Sequence, residues 1–336
     1  MLAWIALICL ILFLLALDLG VFHNKPRVVS VREGLAWSIA WMTLALGFAV
    51  FVYHAYENGW LGLGTTPDAI DRTDEMPLGT LNDGASAVLK YLTGYVVEQS
   101  LSVDNMFVIA MLFRFFAVPA AYQHRVLFWG ILGALLMRGV IIVIGATLVA
   151  RFAWILYVFG AFLIFTAVKM LTLNTEEQHP GRNVVVRLTR RFFPVTRHYH
   201  GEHFIVRRAS RILLTPLALA LIMVETTDLL FAVDSIPAIF AITADPFLVF
   251  ASNAFAILGL RSLYFVLAGA LDAFRYLKVS LALVLALVGT KMLTHVWLRE
   301  VLGEHYTLYL LAAIVVILSG GAIASLLVTV SERRTR

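Results

Sequence analysis

The sequence predicts an all-α polytopic membrane protein with about nine transmembrane helices. Of its 336 residues, 61% are apolar and only 14% are charged, whereas soluble domains average about 45–50% apolar and about 25% charged residues. The apolar residues fall into nine runs of about twenty residues or more, enough for each helix to cross a hydrocarbon core of about 30 Å. These observations exclude a soluble enzyme built as one water-exposed globule.

The first two predicted helices, at 2–22 and 35–56, make up an N-terminal segment, 1–56. No Lys or Arg precedes the first run, and a positive cluster follows it at 23–27, so we expect a retained helix and not a cleaved signal peptide. The segment 57–85 is predicted to be an acidic extracytoplasmic loop. Its acidic residues are Glu57, Asp68, Asp71, Asp74, Glu75 and Asp83.

The remaining seven runs divide around a basic loop at 174–210. This loop holds His198, His200 and His203 near Glu202, but without the helical spacing of a metal site, so we interpret it as a solvated cytoplasmic connector and leave a regulatory role open. The other runs form the segment 86–173 (helices at 86–113, 123–149 and 152–173), the segment 211–298 (helices at 211–243, 246–270 and 278–298) and a C-terminal helix at 305–330.

The segments 86–173 and 211–298 match each other and predict a repeat of three plus three helices. In both, a carboxylate is followed six residues later by an aspartate and then by a short polar residue. The first set is Glu98, Asp104 and Asn105, and the second is Asp228, Asp234 and Ser235; farther along, Arg138 matches Arg261 and Lys169-Met-Leu matches Lys291-Met-Leu. Three collinear matches favour duplication over chance recurrence in a biased composition.

The basic residues of the loops predict the orientation. With the N-terminus outside, eighteen Lys and Arg lie in cytoplasmic segments and four lie outside, while four more lie within helices. Because basic residues concentrate on the cytoplasmic side, we predict an external N-terminus and a cytoplasmic C-terminus. The two three-helix units then have opposite orientations, an arrangement that in transporters places the substrate site between the repeats near the bilayer midplane.

Six carboxylates lie inside apolar runs, where each costs about 2.5–3.5 kcal/mol if it is charged at the centre of a membrane helix. Four basic residues accompany them, so two negative charges are uncompensated, which two protons or one divalent cation would neutralise. The neighbouring side chains offer oxygen atoms and neither imidazole nor thiolate, which favours Mn²⁺, Ca²⁺ or Mg²⁺ over Zn²⁺. The basic residues are Arg138, Lys169, Arg261 and Lys291.

The predicted metal site combines the six carboxylates with two polar neighbours. We expect Arg138 and Arg261 to hold carboxylates or to link the repeats, because a positive charge repels a cation. Pro237 cannot donate to a backbone carbonyl, so the helix is predicted to be kinked or unwound around Asp234; a simple kink with structural salt bridges is the alternative. The predicted metal residues are Asp18, Glu98, Asp104, Asn105, Glu225, Asp228, Asp234 and Ser235.

Several of these motifs together resemble the TerC family of integral membrane proteins, most closely its Alx-type branch. The resemblance implies membership of the lysine-exporter-like superfamily, an inner-membrane location and a role in manganese export; it also carries associations with tellurium resistance and redox modulation. It places the same intramembrane acidic residues at the functional site. The segments are Ala16-Leu-Asp18-Leu, Glu98 to Asn105, Phe159-Gly-Ala-Phe-Leu with Lys169-Met, Val224 to Asp228, Phe231-Ala-Val-Asp234-Ser-Ile-Pro237, and Asn253 to Arg261.

The sequence thus favours a membrane transporter that exports divalent cations, with Mn²⁺ as the leading substrate and protons as counter-ions. Neither an HExxH, a GxSxG nor a Walker motif is present, and the single cysteine, Cys9, cannot form a dithiol, so we expect no enzyme activity, no catalytic residues and no prosthetic group. The expected partners are the lipid bilayer, the metal ion and protons, without nucleic acid. The alternative is a structural or redox-modulating subunit of a metal or tellurite stress-response complex.

Overall fold

The protein is an all-α polytopic membrane protein. The computed structural model describes residues 1–22, 30–71, 79–152, 154–172, 187, 189, 191, 193–196, 198–208, 211–267, 277–294 and 306–334. Within these residues lie ten helices: α1 (Leu2–Phe22), α2 (Val31–Glu57), α3 (Gly84–Phe115), α4 (Ala120–Arg151), α5 (Ile155–Thr172), α6 (Pro216–Phe240), α7 (Pro246–Leu258), α8 (Leu260–Leu267), α9 (Leu277–Leu293) and α10 (Tyr306–Arg334). Two pairs of short antiparallel strands are also present: β1 (Pro67–Asp68) pairs with β2 (Thr80–Leu81), and β3 (Ile205–Arg208) pairs with β4 (Arg211–Leu214).

Six of the described helices are long and apolar enough to cross a membrane, and α7 with α8 makes a seventh if the pair counts as one span. The apolar part of α1, Leu2–Asp18, and the 17-residue α9 are shorter. Large apolar side chains cover the outer surface of the helices: Leu136 on α4 is 68% exposed and Val316 on α10 is 70% exposed. Such surfaces suit lipid contact. Every predicted run contains a described helix, and the count of nine spans stays a prediction.

Polar side chains fix where several helices begin. Asp83 accepts a hydrogen bond from the backbone N–H of Ser86 (2.7 Å) at the start of α3, and the bonds from Ser86 hold the pKa of Asp83 below its usual range. Thr215 and Asp245 cap α6 and α7 in the same way, and a proline follows each of them at the first helical position. Both choices match the preferences of helix N-termini.

The structure differs from the sequence-based boundaries at three places. The predicted single helix 246–270 bends by 42° between α7 and α8 at Gly259, since glycine is a poor helix former. Residues 211–214 form β4, and helix α6 starts only at Pro216. Unwinding around Asp234 is absent: α6 continues as an α-helix past Asp234 and ends at Phe240, so Pro237 removes a bond only near the helix end.

Helix α3 lies at the centre of the bundle and packs against α2, α6, α7, α8, α9 and α10. The most extensive helix pair is α5 with α9, and glycines permit their close approach. A Cβ at Gly160 would lie 3.0 Å from the carbonyl oxygen of Gly289, and a Cβ at Gly289 would lie 2.8 Å from that of Gly160. Small residues of this kind let membrane helices come close together.

Helices α3 and α6 run in opposite directions. Asp68 accepts from Lys90, near the start of α3, and from Thr243, just after the end of α6. The start of α3 and the end of α6 therefore lie at the same face of the bundle. The opposite directions of α3 and α6 agree with the inverted repeat that the sequence predicts. The duplication of all three helices stays a prediction.

Candidate functional site

The fully buried guanidinium of Arg138, near the middle of α4, joins the two carboxylates that the sequence repeat pairs with each other. It forms ion pairs with Glu98, at the middle of α3, and with Asp228, at the middle of α6. Its Nη2 lies 3.2 Å from Oδ1 of Asp228 and its Nε lies 3.3 Å from Oδ2. One arginine thus links the two halves of the predicted repeat at the centre of the bundle.

Neutral oxygen atoms complete the surroundings of Arg138. Its Nη1 donates to Oδ1 of Asn253 on α7 (2.8 Å) and to Oγ of Ser235 on α6 (3.3 Å). Ser102, one turn from Glu98, donates its hydroxyl to Oε1 of Glu98 (3.2 Å). Asn253 was not among the predicted site residues. Its signals in the sequence are a polar amide within an apolar run and its place in the segment Asn253 to Arg261 that resembles the family.

Glu98 keeps one acceptor open. Its side chain is completely buried, yet its Oε2 has no hydrogen-bond partner among the described residues. An orphaned carboxylate oxygen in the interior is costly, because burial removes its water without replacing it. This atom is therefore suited to bind a proton or a cation.

Glu225 adds a third carboxylate to this neighbourhood. It lies one helical turn before Asp228 and is close enough to interact with that carboxylate electrostatically. Its carboxyl group rests against Gly133 of α4, at the position where a Cβ would stand, and its Oε2 has no hydrogen-bond partner in the described part of the chain. Asn105 is also buried, with its side-chain nitrogen unpartnered within the same residues.

Asp104 and Asp234 lie elsewhere, as helical geometry requires. Each stands six residues beyond Glu98 or Asp228, a rotation of about 240° on an ideal helix. Asp234 accepts from the hydroxyl of Thr166 on α5 (3.2 Å) and interacts with Lys169. Asp104 interacts with Lys278 on α9. Both aspartates thus face the α5–α9 pair.

Asp18 forms a separate ion pair with Arg261. Both side chains are buried, and Arg261 also donates to the backbone carbonyl of Asp18 (3.3 Å). The contact fastens α1 to α8. Arg261 therefore holds a residue outside the predicted repeat, whereas its sequence counterpart Arg138 holds one carboxylate from each half.

The eight predicted metal residues occupy several places. The described residues contain no group of three or more His, Cys, Asp or Glu side chains arranged to hold a metal ion. Three of the eight predicted residues, Glu98, Asp228 and Ser235, meet at Arg138, and Glu225 and Asn105 lie on the same two helices. Asp104 and Asp234 face α5 and α9. Asp18, on α1, pairs with Arg261 of α8. In this conformation the oxygen donors of a hard cation are present around Arg138, but the guanidinium occupies their centre.

Two separate spaces lie between one end of the bundle and this cluster. A cavity of about 420 Å³ lies where α3 ends and α4 begins, lined by residues that include Arg114, Gln123 and Tyr264. One turn deeper along α3, α4 and α8 is a space of about 20 Å³, lined mostly by apolar side chains and by Asp228 and Arg261. It is large enough for about one water molecule.

At the opposite end a buried polar network ties the acidic loop to the helices. Asp68 accepts from Lys90 (2.9 Å), Thr243 (2.5 Å) and the backbone N–H of Ala244 (2.7 Å). Tyr56 donates to Asp245 (2.7 Å). Burial raises the pKa of Asp245, the Tyr56 bond opposes the rise and the nearby Asp68 adds to it. Sequence reasoning assigned no role to Asp68, because its partners lie far along the chain.

The described part of the basic loop packs on the end that carries the larger cavity. Tyr199 donates its hydroxyl to the backbone carbonyl of Phe116 (2.6 Å), and Arg125 pairs with Glu202 (2.6 Å). Burial raises the pKa of Tyr199. The loop therefore contacts the α3–α4 connection directly.

Comparison with known proteins identifies the family. A family model described as the integral membrane protein TerC family matches residues 83–335, well over half of the chain. The chain belongs to the TerC family. The match runs from α3 to α10 and confirms the family that the motifs predict; α1, α2 and Asp18 precede it.

Similar proteins cover nearly the same length. An "Uncharacterized membrane protein STKORF319" of Myxococcus xanthus is 48% identical over 86% of this chain and 82% of its own. Proteins named "Putative membrane-bound redox modulator Alx" from Photorhabdus laumondii and Escherichia coli K12 are each 43% identical over 87% of this chain, covering 86% and 85% of their own lengths. No solved structure matches the chain.

Proposed function

We propose that this TerC family protein is a transporter that exports divalent metal cations, foremost Mn²⁺, from the cytoplasm, in exchange for protons, at the carboxylates around Arg138. The observation that carries the proposal is the ion-pair cluster at the centre of the bundle, in which α3 and α6 contribute one carboxylate each to the same buried arginine. Antiparallel helices that meet at such a point provide the arrangement for alternating access.

The charge of the cluster favours a divalent cation. Glu98 and Asp228 bring two carboxylates to one guanidinium, and Glu225 lies one turn from Asp228. If all three are ionised, this neighbourhood carries two uncompensated negative charges. Uncompensated charges are costly in a membrane interior. One divalent cation or two protons would balance them, and exchange of one for the other keeps the site neutral through a transport cycle.

The ligand atoms favour Mn²⁺ or another hard cation. Carboxylate, amide and hydroxyl oxygens of Glu98, Asp228, Asn253 and Ser235 surround the arginine. Ligands of this type suit Mn²⁺, Ca²⁺ and Mg²⁺. Asp104 and Asp234, which face α5 and α9, would act in the same pathway as a second pair of carboxylates.

The test is cation flux in proteoliposomes that contain the purified protein, with the internal pH recorded. Wild-type protein should carry Mn²⁺ with opposing proton movement. Glu98→Gln and Asp228→Asn should each reduce the Mn²⁺ flux by about 10–100-fold. Mutation of groups that support a metal site typically lowers metal affinity or activity by this factor. Glu202→Gln, which removes a half-buried carboxylate at the loop surface, is the matched control and should transport normally.

Two results would contradict the proposal, and a third measurement would extend it. Wild-type protein that carries no Mn²⁺, Ca²⁺ or Mg²⁺ above empty liposomes would show that it is not a cation transporter. Normal flux in both carboxylate variants would place the pathway away from Arg138. Asp104→Asn and Asp234→Asn, measured in parallel, would show whether the second pair of carboxylates takes part.

The name of the Alx relatives, "Putative membrane-bound redox modulator", supports a second candidate function, redox modulation. Cys9 on α1 is exposed and is the single cysteine of the chain, so a redox role would have to act through metal export or through another molecule. Under our proposal Cys9→Ser transports Mn²⁺ normally. Loss of flux in Cys9→Ser, with the fold retained, would favour a thiol-dependent role.

A further inference from the structure

Arg138 occupies the position that a bound cation would take. Its guanidinium contacts five oxygen atoms: both carboxylate oxygens of Asp228, Oε1 of Glu98, Oγ of Ser235 and Oδ1 of Asn253. Donors of this kind and number resemble the shell of a hard divalent cation. The site is therefore already filled by a positive charge that belongs to the protein.

This charge and a metal ion exclude each other. The Arg138 side chain is 1% exposed, so little solvent screens its repulsion from a second cation among the same oxygens. A divalent ion can bind Glu98 and Asp228 together only after the guanidinium has moved away from them.

We propose that Arg138 is a tethered counter-ion that competes with the transported cation. This inference rests on the proposed function. In the empty carrier the guanidinium neutralises Glu98 and Asp228; the incoming divalent cation displaces it, and its return helps to expel the ion. The oxygens of Asn253 and Ser235 now accept from Arg138, so they become free to join the carboxylates around the metal once the guanidinium has moved.

The competition sets the affinity of the site. Without the guanidinium, Glu98 and Asp228 would lose the ion-pair partner that they share in the empty protein and would hold a divalent ion more tightly. The same change removes the group that helps to release the ion. Loss of Arg138 is therefore expected to raise metal affinity and lower turnover together, whereas a purely structural arginine would lower both.

The experiment measures Mn²⁺ binding and Mn²⁺ flux on the same purified protein. Arg138→Ala should bind Mn²⁺ at least about tenfold more tightly than wild type, which corresponds to loss of one competing charge, and should transport it at least about tenfold more slowly. Arg125→Ala, on the same helix and in an ion pair at the loop surface, is the matched control and should leave both quantities unchanged.

Added guanidinium ion provides a direct test of the competition. In Arg138→Ala it can enter the space left by the side chain, so millimolar guanidinium chloride should weaken Mn²⁺ binding. It should have no effect in wild type, where the space is filled, and sodium chloride at the same concentration should have no effect in either protein.

Unchanged or weaker Mn²⁺ binding by folded Arg138→Ala would overturn the inference. If that variant does not fold, Arg138→Lys provides the test. The compact ammonium of lysine cannot reach both carboxylates as the guanidinium does, so this variant should bind Mn²⁺ more tightly than wild type. Equal or weaker binding would refute the competition. Failure of wild-type transport itself would instead disprove the proposed function, so the two failures are distinguishable.

Discussion

At the scale of single residues, buried carboxylates organise both the centre and one end of this molecule. At the centre, Glu98 and Asp228 both pair with Arg138. At one end, Asp68 accepts hydrogen bonds from the start of α3 and from the connection between α6 and α7. Asp68 and Glu98 differ in how completely their carboxylate oxygens are hydrogen-bonded. Asp68 is bonded through both oxygens, whereas Glu98 keeps Oε2 unpartnered within the described residues, so Asp68 has the features of a structural anchor.

Substitution of Asp68 tests this anchor. Asp68→Ala removes the carboxylate that pairs with the buried Lys90, which also donates to Asn82, and that accepts from Thr243 and Ala244. We expect a loss of about 3–5 kcal/mol of stability, as for other broken buried ion pairs. Thermal unfolding in detergent measures the loss. Asp83→Ala, which removes only the N-cap of α3, should cost about 1 kcal/mol. Equal losses in the two variants would contradict the anchor role.

At the scale of elements, the packing of α5 against α9 determines what Asp104 and Asp234 face. The two helices approach each other through Gly160 and Gly289, and their side chains Lys169, Thr166 and Lys278 supply the surroundings of the two aspartates. A change of the α5–α9 distance would therefore alter the surroundings of Asp104 and Asp234 and leave the contacts of Arg138 unchanged.

Gly289→Ala tests the close approach. The added methyl group would lie 2.8 Å from the backbone carbonyl oxygen of Gly160, so the helices must separate, and we expect a destabilisation of about 1–3 kcal/mol. The control is Gly320→Ala on α10, where nothing lies within 4 Å and alanine should be neutral or slightly stabilising. Unfolding temperatures measure both. The prediction fails if Gly289→Ala is as stable as wild type.

At the scale of the whole molecule, the two ends of the bundle differ in openness. The end with Asp68 and Asp245 is closed by a buried polar network. The end at the α3–α4 connection carries the larger cavity, and the small space beside Asp228 lies about one helical turn deeper. The described conformation therefore places the larger cavity on the side of the basic loop. The small, mostly apolar space beside Asp228, called the neck below, lies between this cavity and the central cluster.

Cysteine accessibility measures this path. In a Cys9→Ser background, Ala110→Cys in the larger cavity should react fast with a membrane-impermeant thiol reagent, and Ala134→Cys in the neck should react at least about tenfold more slowly, because its thiolate is shielded from water. Leu136→Cys, which faces lipid, is the control and should not react. The reagent should act only from the side of loop 174–210, which also measures the predicted orientation.

Reaction of Ala134→Cys as fast as Ala110→Cys would show that the neck is open to water. Reaction of Ala110→Cys only from the opposite side would mean that the predicted external N-terminus is wrong. Either result would still leave the central ion pairs of Arg138 intact, so this measurement tests access and orientation separately from the chemistry of the site.

Sequence alone determined the membrane class, the family and the list of intramembrane charges. The runs of apolar residues require helices because lipid offers no partner for backbone N–H and C=O groups, so the helices could be read directly. The spacing of six residues between Glu98 and Asp104, and between Asp228 and Asp234, also placed the members of each pair on different helix faces, because helical rotation is a local property.

Only the tertiary structure decided which charges meet. Arg138 and Arg261 look equivalent in the sequence, yet Arg138 joins Glu98 to Asp228 whereas Arg261 holds Asp18 of α1. The continuity of α6 past Asp234 was likewise visible only in the structure, where Pro237 removes a backbone bond only near the helix end. Contacts between residues far apart in the chain depend on how helices are placed against one another, and spacing along a single helix carries no information about that placement.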